Sequence, residues 1–256
     1  MKLNRNDLCW CGSQKKYKKC HLAFDEKLEQ LKQQGKKIPT HKMIKTPEQI
    51  EGIKKAAVIN SGLLDYIEAN IKVGMTTEEI DVMAKEYTAK YGAVCADYQY
   101  MGYPKHICVS INDVVCHGIP NEQTILQEGD IVNVDATTML NGYYADASSC
   151  VGDIGKAIET FAKAMGYSVV REFCGHGVGL AIHEDPYVFH FEPNVPTVTL
   201  VPGMVFTIEP MLNLGGREVY VDESDEWTVY TDDESLSAQW EHTLLVTEDG
   251  IEIISK

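Results

Sequence analysis

Residues 9–21 hold a complete set of soft metal ligands: Cys9, Cys11, Cys20 and His21, in two close pairs separated by a glycine-containing turn. Three thiolates and an imidazole satisfy tetrahedral zinc and leave no open coordination position, so this site would be structural rather than catalytic. So short a stretch builds no core of its own, and bound metal would supply its folding energy. A second set is spread along the chain. Gly129–Asp135 reads Gly-Asp-Ile-Val-Asn-Val-Asp and Gly203–Glu209 reads Gly-Met-Val-Phe-Thr-Ile-Glu, each an apolar strand ending on a carboxylate. Each follows a His-x-x-Pro, at His117 and at His183. Ending a buried apolar run on an acid is costly unless the acid meets a cation. Asp146, Glu241 and His176 stand at other strand ends or turns. Hard carboxylates with one imidazole suit Co(II), Mn(II), Fe(II) or Zn(II), and shared carboxylates hold two ions about 3.5–4 Å apart. Two ions sharing a water supply hydroxide near neutral pH while gripping an amine, which is hydrolysis beside a free N-terminus.

The elements that would position these groups follow from periodicity. Thr46-Pro47-Glu48-Gln49 is a capped helix start, and Ile50, Ile53, Ala57, Leu64, Ile67 and Ile71 predict a long helix over 46–71. Thr76–Glu79 opens a second helix that Gly92 closes. Short strands are expected at 94–95, 107–111, 114–117 and 131–135, with Tyr143–Ser148 returning from an Asn141-Gly142 turn. Ile154, Ile158 and Phe161, 74 positions after Ile80, Ala84 and Tyr87, predict a helix over about 151–165, and Gly203 and Glu209 stand 74 positions after Gly129 and Asp135. Cys174–Gly177 reads as a turn, and strands are expected at 169–173, up to Glu209, at 227–230 and at 240–247. The second half thus repeats the first, with one helix fewer.

The chain carries a net charge of −15, unevenly placed. Residues 1–45 hold 12 Lys/Arg against 4 Asp/Glu, a net +8, and the remainder 11 against 34, a net −23. An acidic main domain repels phosphate, so specific nucleic-acid recognition is not expected; the basic arm could dock on RNA or an acidic partner. No apolar run reaches the roughly 18 residues of a membrane helix. The first residues lack the apolar core of a secretory signal, so a cytoplasmic location is expected. Eight cysteines in 256 residues do not read as a disulfide framework. Cys108 and Cys174 are candidates for lining a pocket.

Two resemblances sharpen this reading. The Cys9–His21 cluster resembles the SEC-C zinc motif, all ligand positions matching. The stretches Val115-Cys-His117-Gly-Ile-Pro, Asn133-Val-Asp135, Asp146, Cys174-Gly-His176-Gly-Val-Gly, His183-Glu-Asp-Pro, Phe206-Thr-Ile-Glu209-Pro-Met and Ser237-Ala-Gln-Trp-Glu241-His-Thr resemble type I methionine aminopeptidases. That resemblance implies the α/β pita-bread fold, two pseudo-symmetric αβ halves around a dinuclear metal site, with one second-half helix missing. It implies removal of the initiator methionine of nascent polypeptides with a small second residue. Carried over, Asp135 chelates one ion, Asp146 and Glu241 bridge both, and His176 and Glu209 complete the other shell, with Glu209 shuttling the water's proton. His117 and His183 contact the substrate; Tyr100, Tyr103, Cys108 and Trp227 surround the methionine side chain. Ile182 stands where the family often has an aromatic.

The expected layout is a zinc motif over 1–22, a basic linker over 23–43 and a catalytic domain over 44–256, monomeric, with the arm directed to the ribosome. A prolidase or aminopeptidase P relative, and an inactive binding module, are the other readings. The missing helix is either a true deletion or a segment left out near Ser149–Gly152.

Overall fold

The computed structural model describes residues 3–145 and 153–255. Asp146, and the Ser149–Gly152 span where a missing segment was sought, lie outside the described residues. Four helices are α1 (Leu22–Gln33), α2 (Pro47–Asn70), α3 (Thr77–Lys90) and α4 (Asp153–Ala164). The first-half strands are β1 (Val94–Cys95), β2 (Cys108–Ile111), β3 (Val114–Cys116), β4 (Val132–Asp135), β5 (Thr138–Leu140) and β6 (Tyr143–Ala145). The second half adds β7 (Ser168–Val169), β8 (Gly175–Gly177), β9 (Glu184–Val188), β10 (Val205–Ile208), β11 (Met211–Asn213) and β12 (Val219–Val221). It ends with β13 (Val229–Thr231), β14 (Ser237–Gln239), β15 (His242–Val246) and β16 (Ile251–Ser255).

Local chemistry explains the helix starts. Thr46 accepts from the Gln49 N–H while the Gln49 side chain accepts from the Thr46 N–H, and Thr76 and Glu79 repeat that box on α3. Asn141 and Gly142 take φ of 52° and 81°, the left-handed pair that a two-residue hairpin between β5 and β6 needs. The second of these φ values is ordinary only for glycine.

Antiparallel pairs place the two halves in equivalent positions. β4 lies beside β2, with Asp135 opposite Cys108, and β10 lies beside β8, with Phe206 opposite Gly177. The largest sheet runs β16-β15-β10-β8-β9, and two smaller ones run β14-β11-β7 and β12-β13-β3. The Cys174–Gly177 stretch expected as a turn is therefore largely strand. The glycines let it approach its neighbours: a Cβ at Gly175 or Gly177 would meet backbone oxygens at 2.4 and 2.2 Å.

α2 and α3 bury Leu63, Ile67, Ile80 and Ala84 against Ile107 and Val109. In the second half α4 stands alone among the described residues, as the shortened repeat predicts. Ile154 packs against the core of that half, whereas Phe161 is 68% exposed and Ala162 is buried. The buried acid Glu159 sits on that inner side instead, paired with Lys163 and Arg171. The N-terminal segment also packs on the main body. Leu28 of α1 and Ile44 join Val188, Met204, Phe206 and Leu244 in one cluster, with Trp10 and Phe24 against it.

Candidate metal centre and side-chain pocket

Strand ends bring the acids together. Glu209 follows β10, Glu241 sits between β14 and β15, and His176 is the middle residue of β8. Ligand atoms of His176, Glu209 and Glu241 all lie within 4.8 Å of one another. Asp135, at the end of β4, stands outside this tight triad but faces the same cleft as Glu241. Asp146, the other expected bridge, lies outside the described residues.

The supporting contacts fix the ligands. The His176 N–H donates to Thr207 Oγ1 at 2.7 Å, and that hydroxyl donates to Glu209 Oε1 at 3.0 Å. His176 Nδ1 lies 3.0 Å from the Gly177 carbonyl; a proton donated there leaves the lone pair on Nε2, 3.5 Å from Glu209 Oε1. The Glu209 N–H donates to Nε2 of buried His190 at 3.2 Å. Asn133 donates to Gln239, which donates to Glu209, so the first half holds a ligand of the second. Thr207 and Gln239 each stand two residues before an acid, on the same strand face; that spacing was visible in the sequence and went unread. His190 gave no such signal.

Burial dominates the electrostatics. It pushes Glu209 well above the usual carboxylate range, helped by the negative charge of Asp135. It lowers His176 to about 3, with His183 beside it adding to the effect, and it holds His117 and His183 below the usual imidazole value. Acids crowded in a dry site beside neutral imidazoles form a donor set short of positive charge, and divalent cations fit it.

A cavity of about 230 Å³ opens beside the triad. Tyr100, Tyr103, Cys108 and Trp227 line it as expected, together with His117, His176, His183 and Glu209. Cys174 and Ile182 also face it. Phe173 and Asp97, which the sequence reading missed, are part of the wall. Phe173 packs edge-on against His117 with ring centroids 5.5 Å apart. Asp97 accepts from the Thr137 N–H and hydroxyl, and burial with the Asp135 charge pushes it up to about 7. Tyr100 Oη lies 2.8 Å from His183 Nδ1. His117 has φ of 55°, a backbone position that side chains rarely adopt and that tends to be retained at working sites.

In the N-terminal motif, Cys9 and Cys20 Sγ each lie 3.2 Å from His21 Nδ1, and Cys11 and Cys20 Sγ are 3.6 Å apart. Zinc–sulfur bonds of about 2.3 Å in a tetrahedron put sulfurs roughly 3.7 Å apart, so the four donors fit zinc. Asp25 of α1 ties the motif down, accepting from Trp10, Tyr17 and His41.

The model of metallopeptidase family M24 matches residues 51–151 and 148–248. The chain belongs to that family. The SEC-C motif model matches residues 5–23. A methionine aminopeptidase of Chlamydia pneumoniae is 40% identical, the alignment covering 99% of this chain and 99% of the relative. The solved methionine aminopeptidase of Rickettsia prowazekii superposes with a TM-score of 0.79 at 36% identity, covering 83% of this chain and 99% of that one. A prolidase from Pyrococcus furiosus shares the fold at 21% identity, with a TM-score of 0.56 over 84% of this chain and 65% of that one. The M24 pita-bread fold expected from the motifs is therefore the fold of this chain, and the chain is related to hydrolases.

Proposed function

We propose that this chain removes the N-terminal methionine of polypeptides whose second residue is small. The observation that carries the reading is the His176–Glu209–Glu241 triad opening directly onto a cavity walled by Tyr100, Tyr103, Cys108 and Trp227. Aromatic and sulfur-bearing walls of that size suit an unbranched thioether.

Asp135, Asp146, His176, Glu209 and Glu241 would hold two divalent ions, Co, Mn, Fe or Zn. When bound, such a pair lowers the pKa of a shared water and polarises the scissile carbonyl. Glu209, beside His176 and Glu241, would accept the water's proton and pass it to the leaving amine. His117 and His183, neutral by burial, donate hydrogen bonds to the substrate carbonyl or amide as charge develops. The walls exclude water from the side chain and set its depth.

The catalytic domain spans residues 44–256 and the zinc motif residues 1–22. The chain acts as a cytoplasmic monomer, and the basic arm, with exposed Lys15, Lys16, Lys18 and Lys19, directs it to the ribosome. Charge reversal at those four lysines should abolish ribosome co-sedimentation; unchanged sedimentation would remove that role. For the activity, metal-dependent release of methionine from Met-Ala-Ser is expected, with Asp135→Ala inactive. Preference for an X-Pro dipeptide would favour the prolidase reading. A metal-loaded, folded sample that releases no methionine would favour the binding-module reading.

A further inference from the structure

Lys45 is only 4% exposed, a costly place for a cation unless an anion meets it. The neighbouring chain fixes its backbone from both sides. Ile44 bridges Met204, the Lys45 N–H donates to the Gly203 carbonyl at 2.8 Å, and Thr46 caps α2. The residue thus stands where the basic arm meets the main body. Its side chain runs inward along the turn between β8 and β9, with Cε 3.3 Å from where a Cβ on Gly179 would lie. Nζ reaches Glu184 Oε2 at 2.5 Å.

The other oxygen of Glu184 closes that turn. Oε1 accepts from the Leu180 N–H at 2.7 Å and the Ala181 N–H at 3.2 Å, so one carboxylate ties the segment 180–184 to itself. Ile182 and His183 lie inside this loop, and both line the side-chain pocket. Glu184 also stands opposite Gly177, the residue after His176 on β8. The Tyr144 N–H holds the Gly179 carbonyl at 2.9 Å, ahead of the residues that face the pocket. Tyr100 holds the His183 ring, and Glu184 holds the backbone that carries it.

We propose that Lys45 is a positioning residue for the reaction: by neutralising and anchoring Glu184 it sets the 180–184 turn, and with it the placement of His183 against the substrate. Neither member of the pair is part of the pocket wall, so the effect passes through the turn. The inference rests on the peptidase reading for what His183 does there, whereas the state of the turn itself is measured without catalysis.

Lys45→Met keeps the apolar stem and removes the charge. On the metal-loaded full chain, kcat/KM for Met-Ala-Ser should fall about tenfold or more, mainly in kcat, because displacing a group that meets the transition state is costly. In a His183→Ala background the same change should cost less than about threefold, since residues that act through one another are not additive. Lys54→Met, which removes a cation paired with Glu252 at the surface, should stay within about twofold of the parent. Amide exchange followed by NMR should quicken about fivefold or more at Leu180 and Ala181 but not at Val178, whose N–H is held by the Val205 carbonyl. Glu184→Gln should show the same loss and the same dependence on His183, and it carries the test if removing the buried lysine prevents folding. A tenfold loss that persists without His183, an unchanged kcat, or unchanged exchange at Leu180 and Ala181 would each overturn the proposal. A parent chain that releases no methionine would instead overturn the peptidase reading, and the exchange measurement would still decide whether Lys45 sets the turn.

Discussion

The phenol of Tyr100 lies 2.8 Å from Nδ1 of His183, joining a pocket wall to a histidine that faces the reacting centre. A hydroxyl proton donated to Nδ1 leaves Nε2–H as the nitrogen that meets the substrate. Tyr100→Phe keeps the ring and removes that proton. Losing one hydrogen bond of about 1–1.5 kcal/mol should lower kcat/KM for Met-Ala-Ser roughly tenfold, with the fall mainly in kcat. An unchanged kcat would show that the tyrosine serves the wall alone.

Gly118 follows His117 with no room for a side chain. A Cβ there would meet the Val109 carbonyl oxygen at 2.3 Å, and the Gly118 carbonyl accepts from the Val109 N–H and the Tyr103 hydroxyl. Gly118→Ala must move backbone, so about 2–3 kcal/mol of stability should be lost. Activity should fall further than stability accounts for, because His117 moves with it. Urea unfolding and methionine release, measured on the same sample, separate the two.

Glu159 gives a pH-dependent prediction. Burial opposes its ionisation, but hydrogen bonds from Lys163, the Glu192 N–H and Arg171 hold its carboxyl down at about 2, below the usual glutamate value of 4.5. A depressed acid stabilises the folded state above the unfolded-state value and loses that contribution as pH falls through the folded one. Lys163 and Arg171 are 66% and 37% exposed, so screening reduces the gain to about 1 kcal/mol. Glu159→Gln should therefore be less stable than the parent at pH 7, and the gap should close between about pH 4.5 and 2. A gap independent of pH would contradict this.

If the N-terminal cluster holds zinc as proposed, Cys11→Ser removes one of its four donors. Elemental analysis should show one fewer zinc per chain, and near-ultraviolet circular dichroism should lose the signal of Trp10, whose ring stacks on His41 at 4.1 Å. Because the motif folds around its metal while α1 packs independently through Leu28, methionine release should persist. Loss of activity with zinc loss would tie the motif to the catalytic body.

Spacing and residue type carried much of this molecule. Helix starts at Thr46 and Thr76, the Asn141-Gly142 hairpin and the cysteine cluster depend on groups a few residues apart, so local chemistry settles them before any tertiary contact forms. The repeat ending on Asp135 and Glu209 announced paired half-sites because a carboxylate closing an apolar run needs a cation wherever it occurs. Phe161 shows the limit: it stands 74 positions after Tyr87 in the repeat yet is exposed, because which face of α4 is covered depends on what packs there. Asp97, Phe173 and His190 reach the site although neither their residue type nor their spacing singles them out. Their roles exist only because distant strands converge and exclude water.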